Sequence, residues 1–261
     1  MPTKVTAPSL REKKAAGERI VCLTAYDYMS AQIADAAGVD MVLVGDSLGN
    51  VIMGERTTLG VSLEMVEHHV RAVRNGVVTA LLVADLPFGS YGSSVAQAVE
   101  SSVRLMKAGA EGVKLEGDYP DAVEALLKVG IPVMGHVGFT PQSVNKFGGF
   151  KVQGRGDGGL EVEAMAMRLA EAGVFGIVLE LMPVDLAARI TKQSDCPTIG
   201  IGAGLYCDGE IQVWHDVLGL AEKKHRHTTF FAEGRSVFSD AITRYAASVR
   251  DRSFPGEENG F

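Results

Sequence analysis

One pattern limits the fold of this chain more than any other. Short β-branched runs alternate with amphipathic stretches that close on glycine, from near the start to about residue 216. The runs are "IVCLTAYD" (20–27), "MVLVGD" (41–46), "ALLVADLP" (80–87), "GVKLEG" (112–117), "IPVMGHVG" (131–138), "GIVLEL" (176–181) and "PTIGIGAG" (197–204), with a weaker eighth around "IQVWHD" (211–216). Between them, "MSAQIADAAG", "SVAQAVESSVRLMKAG" and "EVEAMAMRLAEAG" repeat apolar residues at helical spacing. Each ends on glycine, the common residue just past a helix C-terminus. Strands that are apolar along their whole length belong to parallel sheets covered on both faces. Eight strand–helix units in about 250 residues predict an α/β fold of the (β/α)8 TIM-barrel kind. An open doubly wound sheet competes, but no G-x-G-x-x-G follows the first strand.

The flanks read as additions to that barrel. Residues 7–17 predict a short helix covering its bottom. "SVFSDAITRYAASVR" sets Val237, Phe238, Ala241, Ile242, Tyr245, Ala246 and Val249 on one helical face, followed by the polar tail "FPGEENGF". Residues 1–261 therefore read as a single catalytic barrel with an N-terminal helix and a C-terminal helical extension. Two long connections, 47–79 and 137–160, follow the second and fifth strands, where a barrel builds its active site. A hydrophobic content of 46% and a charged content of 22% describe a folded α/β protein. The net charge of -7 argues against a partner recognised through nucleic-acid phosphates. Cys22, Cys196 and Cys207 are odd in number and in no metal-type spacing, and no apolar run reaches membrane length. The expectation is a soluble cytoplasmic protein.

The strand ends carry the chemistry. "AGAEGVKLEG" (108–117) is echoed by "AGVFGIVLE" (172–180), with Glu180 in the place of Glu116 and Val178 in the place of Lys114. "AAGVDMVLVGDS" ends likewise on Asp46-Ser47. With Asp85 and His136, these ends deliver four carboxylates, one lysine and one histidine to one mouth. Capping of the following helices accounts for Asp46 or Asp85 alone, but not for Lys114 and the two glutamates. Carboxylates crowded together raise one another's pKa. A divalent cation removes the conflict, and an all-oxygen set with few protein ligands suits Mg²⁺ best. His136 stays open between a hydrogen-bonded structural group and a substrate contact. "IGIGAG" reads as close backbone approach rather than a phosphate loop, and the pair His68-His69 as surface.

Several long blocks, "LTAYDYMSAQIADAAGVDMVLVGDSLGNV", "ALLVADLPFGSY", "LMKAGAEGVKLEG", "IPVMGHVGFTPQSVNKFGGFKVQGR" and "GIVLELMP" among them, resemble the ketopantoate hydroxymethyltransferase family. That resemblance implies a (β/α)8 enzyme related in fold to the phosphoenolpyruvate mutase and isocitrate lyase group. It implies transfer of a one-carbon unit from 5,10-methylenetetrahydrofolate to 3-methyl-2-oxobutanoate, through a Mg²⁺-stabilised enolate, in pantothenate biosynthesis. It implies Mg²⁺ on Asp46, Asp85 and Glu116, keto-acid contacts from Asp46, Ser47, Asp85 and Lys114, and Glu180 as proton acceptor. It also implies a homodecamer, a pentamer of dimers. The residue chemistry agrees: Glu116 is paired with a lysine and stays ionised, while Glu180 lacks that neighbour and is expected in the drier position that suits a base. Another Mg²⁺-dependent lyase or mutase acting on a 2-oxo acid is the alternative of the same fold, and an inactivated barrel serving as a scaffold is the alternative of another class.

Overall fold

Eight parallel strands close into a barrel in sequence order. They are β1 Ile20–Thr24, β2 Met41–Val44, β3 Leu81–Asp85, β4 Gly112–Lys114, β5 Val133–Gly138, β6 Gly176–Glu180, β7 Thr198–Ile201 and β8 Gly209–Gln212. The computed structural model describes residues 3–261. The chain divides into two compact units, one ending at Val213 and the other running from Trp214 to Phe261.

In the first unit, α1 Ala7–Ala16 precedes the barrel and α2 Tyr28–Ala36 follows β1. The connection after β2 holds α3 Leu48–Val51 and α4 Leu63–Arg74, and β3 leads to α5 Val95–Ala108. Further on come α6 Pro120–Lys128 after β4, α7 Val144–Phe147 and α8 Gly158–Glu171 after β5, and α9 Val184–Gln193 after β6. The starts of these helices are written in the sequence. Thr6, Asp27, Ser62 and Ser94 each accept a hydrogen bond from the backbone N–H three residues on, satisfying a donor the helix itself leaves unpaired.

The alternation fails once. Residues 202–208 join β7 to β8 without a helix, turning through Gly202 and Gly204 at φ +67° and +87°. Strands of four residues cover only about 13 Å, so a short link can run back beside them. Gly204 is also a place of close approach, since a Cβ there would stand 2.7 Å from Val184.

Inside the barrel, residues point inward at every second position. Ile20 and Cys22, Met41 and Leu43, Leu81 and Val83, Met134, Val178, Ile199 and Ile211 form one apolar cluster, which Ala7 and Leu10 of α1 join. Each buried Leu, Ile, Val or Met of the cluster contributes roughly 1.5–3 kcal/mol by leaving water. Around that apolar contact, α1 is anchored by its cations. Lys13 pairs with Asp40 at 2.8 Å and Lys14 with Asp208 at 3.0 Å, both in segments leading into strands, and Arg11 donates to the carbonyl of Val174. The helix read from residues 7–17 thus sits at the N-terminal ends of the strands.

The second unit contains α10 Trp214–Val217 and α11 Gly234–Asp251. Phe231 and Gly234 donate backbone hydrogen bonds to Val217 and Leu218, joining the segment before α11 to the end of α10. The apolar face expected on α11 is formed, and it is exposed: Val237, Phe238, Ile242, Tyr245 and Val249 all lie open. Among the described residues, no helix is long and apolar enough to cross a membrane.

Candidate active site

The inward alternation that builds the core also builds the site. In β3 it runs Leu81, Val83, Asp85. In β4 it continues through Lys114 to Glu116, which lies beyond the strand but is flanked by the ladder bonds Leu115 N–H to Met134 and Gly117 N–H to His136. In β5 it runs Met134, His136, and in β6 Val178, Glu180. Register brings these levels side by side, with Asp85 beside Lys114 and His136 beside Val178. Apolar residues fill the lower levels, so the charged ones collect at the C-terminal mouth. Gly45 occupies the matching position past β2, where a Cβ would come within 3.3 Å of Asp85 Oδ2 and 2.9 Å of Ser47 Oγ.

All seven residues marked from the sequence lie at this mouth. Asp85 Oδ2 accepts the backbone N–H of Asp46 at 3.0 Å, and Asp85 Oδ1 stands 2.9 Å from Lys114 Nζ. That second contact is an ion pair without the alignment of a hydrogen bond. Lys114 Nζ also lies 3.9 Å from Glu116 Oε1 and 3.2 Å from His136 Nδ1. His136 reaches Glu116 Oε1 at 3.4 Å through Nδ1 and Glu180 Oε2 at 3.2 Å through Nε2. Ser47 Oγ shares a 2.7 Å hydrogen bond with the hydroxyl of buried Tyr26, whose backbone carbonyl meets His69 Nδ1. His69, half-buried, is therefore tied to the segment after β1, while His68 is exposed.

Burial sets the electrostatics. Asp46, Asp85, Lys114, Glu116 and His136 are each at most 4% exposed. Burial first, then the charges of Asp85 and Glu116, push Asp46 well above the usual carboxylate range. Burial also raises Asp85, with Lys114 opposing it. For Glu116 burial acts upward too, but the hydrogen bond and charge of His136, with Lys114, hold it below its ordinary value. Burial and then Lys114 act to lower His136, yet Glu116 and Glu180 outweigh them and raise it to about 9. Glu116 is thus favoured as a carboxylate, with His136 contributing more to this than the lysine read beside it in the sequence.

The drier position expected for Glu180 is not observed. Its side chain is 17% exposed against 3% for Glu116, because Glu180 is the last residue of its strand and stands nearest the opening. An apolar neighbour at Val178 sits one level lower and does not shield it.

Two residues of the site carry no charge to mark them. Gln142, in a 3-10 turn Pro141–Ser143 after β5, donates through Nε2 to Asp46 Oδ2 at 2.8 Å, and its backbone N–H reaches Glu116 Oε2 at 3.0 Å. Tyr91, past β3, donates its hydroxyl to Gln142 Oε1 at 2.8 Å and accepts the N–H of Glu116 at 3.0 Å. The only sequence signal for either is its place in a connection leaving the C-terminal end of a strand.

Among the described residues, no three histidine, cysteine or acidic side chains stand as a preassembled metal cage. The fit to a cation is one of charge and donor type. Among the described residues, Asp46, Asp85, Glu116 and Glu180 face two cationic side chains, Lys114 and His136, and Asp46 is disfavoured as an anion by burial first and then by its acidic neighbours. Asp46, Asp85 and Glu116 offer oxygen alone, the donor set of a hard divalent ion.

The closed (β/α)8 barrel is a fold this chain shares with solved enzymes of low sequence identity. Phosphonopyruvate hydrolase, solved in complex with oxalate and Mg++, overlays with a TM-score of 0.63 at 13% identity, covering 97% of this chain and 93% of that one. 2,3-Dimethylmalate lyase, a member of the phosphoenolpyruvate mutase/isocitrate lyase superfamily, overlays at 0.62 and 16% identity over 98% and 90% of the two chains. The profile of the ketopantoate hydroxymethyltransferase family matches residues 4–257, and the chain belongs to that family. Among its relatives, the 3-methyl-2-oxobutanoate hydroxymethyltransferase of Ralstonia pickettii is 48% identical over 98% of this chain and 96% of its own. That of Moorella thermoacetica is 48% identical over 99% and 98%. The chain is thus a hydroxymethyltransferase, which sets aside both the lyase or mutase and the scaffold.

Proposed function

We propose that this enzyme transfers the one-carbon unit of 5,10-methylenetetrahydrofolate to C3 of 3-methyl-2-oxobutanoate, giving 2-dehydropantoate for pantothenate and coenzyme A biosynthesis. The observation that carries this reading is the buried mouth cluster, in which an anion-binding lysine, three oxygen-only ligands and an accessible carboxylate lie together on one family barrel. Asp46, Asp85 and Glu116 would hold Mg²⁺. When bound, Mg²⁺ supplies a Lewis-acid charge that offsets the negative charge developing on the keto oxygen.

The remaining steps fall to the chain's own groups. Lys114, kept charged by Asp85, holds the carboxylate of the 2-oxo acid, and Ser47, fixed by Tyr26, offers it a hydroxyl. Glu180 takes the proton from C3, and His136 orients it through the 3.2 Å contact. The electron pair left on C3 forms the new C–C bond as the methylene carbon gives up the first of its two folate C–N bonds. Water then forms the C–O bond as the second C–N bond breaks, and the proton taken by Glu180 and one proton of that water pass to the two folate nitrogens. The buried walls of the mouth keep other water from the reacting carbon.

Release of tetrahydrofolate tests the reading. Turnover should require the methylene folate, 3-methyl-2-oxobutanoate and a hard divalent cation together, and should return when Mg²⁺ is added to EDTA-treated enzyme. Full turnover after rigorous chelation, or without the keto acid, contradicts it.

A further inference from the structure

Gln142 has every polar group of its side chain committed. Nε2 donates to Asp46 Oδ2 at 2.8 Å and to the carbonyl of Leu86 at 3.0 Å, while Oε1 accepts the Tyr91 hydroxyl at 2.8 Å. A backbone carbonyl can only accept, so the contact to Leu86 fixes which end of the amide is the nitrogen. The atom facing Asp46 is therefore a donor, and Asp46 Oδ2 meets it as an acceptor. The backbone N–H of the same residue holds Glu116 Oε2 at 3.0 Å. Gln142 is only 7% exposed, and Tyr91, itself 9% exposed, is braced by the N–H of Glu116.

One residue from the loop after β5 thus grips carboxylates contributed by two other connections. In each, one oxygen is taken: Oδ2 of Asp46 and Oε2 of Glu116. The other oxygens, Asp46 Oδ1 and Glu116 Oε1, receive nothing from Gln142. A donor so placed selects which oxygen of each acid is available to a cation and limits rotation of both carboxylates.

We propose that Gln142 is a positioning residue, clamped by Tyr91, that sets Asp46 and Glu116 for divalent-cation binding. This rests on the metal reading given above. Residues that hold ligands in place commonly contribute about 10–100-fold in metal affinity. The hydrogen bond from Tyr91 acts on the far end of the same amide, so its effect should pass through Gln142 and not add to it.

The test uses Mn²⁺ as the probe, with the full-length enzyme free of substrates and the free-ion electron paramagnetic resonance signal as readout. Gln142→Met, close in volume and without a donor, should bind Mn²⁺ about 10–100-fold more weakly than wild type. Tyr91→Phe should weaken binding less, and the double variant should be no weaker than Gln142→Met by more than about twofold. Melting in EDTA confirms that the compared variants are folded, and if Gln142→Met does not fold, Tyr91→Phe decides alone. Wild type that binds Mn²⁺ while the variants bind it equally well overturns this proposal and leaves the metal reading standing. Wild type that binds no Mn²⁺ overturns both.

Discussion

His136 Nε2 stands 3.2 Å from Glu180 Oε2, an ion-pair contact without the alignment of a hydrogen bond between a buried imidazole and the most exposed carboxylate of the mouth. The same ring meets Glu116 on its other side at 3.4 Å. A histidine between two carboxylates is charged near neutral pH, and here its pKa is raised to about 9 against the lowering effects of burial and Lys114. To the two readings of His136 from the sequence, a hydrogen-bonded structural group or a substrate contact, the geometry adds that the ring stands between Glu116 and the proposed base Glu180.

That bridge has a pH signature. Because the folded-state pKa of about 9 lies above the ordinary 6.5, the charged histidine stabilises the metal-free fold fully below about pH 6.5. The contribution is lost as pH rises through about 9, and it is at most on the order of 3 kcal/mol. Melting in EDTA should show wild type losing stability between these limits relative to His136→Gln. A stability difference that stays constant across the window contradicts the charged bridge.

The sequence was most legible where period and chemistry coincide. Seven of the eight runs contain an observed strand, because a parallel strand covered on both faces must be apolar and β-branched; the weaker eighth, read at 211–216, only overlaps β8, which runs Gly209–Gln212. The strand-end acids, Lys114 and His136 stood out because charge in such a strand has no structural cause. Gln142 and Tyr91 did not, since neutral residues in loops become part of a site only through contacts made across the fold. The missing helix between β7 and β8 was hidden by the glycines that allow the short return. Glu180 was misjudged for another reason: its solvent exposure depends on where β6 stops, and an apolar run does not reveal its own end.

The face of α11 carries a second prediction. Phe238 and Ile242 are 57% and 67% exposed, an unusual state for large apolar side chains set along one helix. We propose that these residues are buried in a homo-oligomer, a decamer built as a pentamer of dimers. Light scattering at micromolar concentration should give that assembly, and Phe238→Glu with Ile242→Glu should reduce its mass without unfolding the barrel. A wild-type monomer of 27.7 kDa contradicts the assembly.

The central claim is that Glu180 takes the proton from C3, and exchange measures it without folate. Wild-type enzyme with Mg²⁺ should exchange the C3 hydrogen of 3-methyl-2-oxobutanoate with D₂O, seen by NMR as loss of the methine signal. Glu180→Gln keeps the shape and a hydrogen-bonding group for His136 but cannot accept the proton. It should still bind the keto acid, yet exchange and turnover should fall together by about 10²–10⁴-fold. Exchange at the wild-type rate in Glu180→Gln would contradict the account and leave His136 as the group to test for the base.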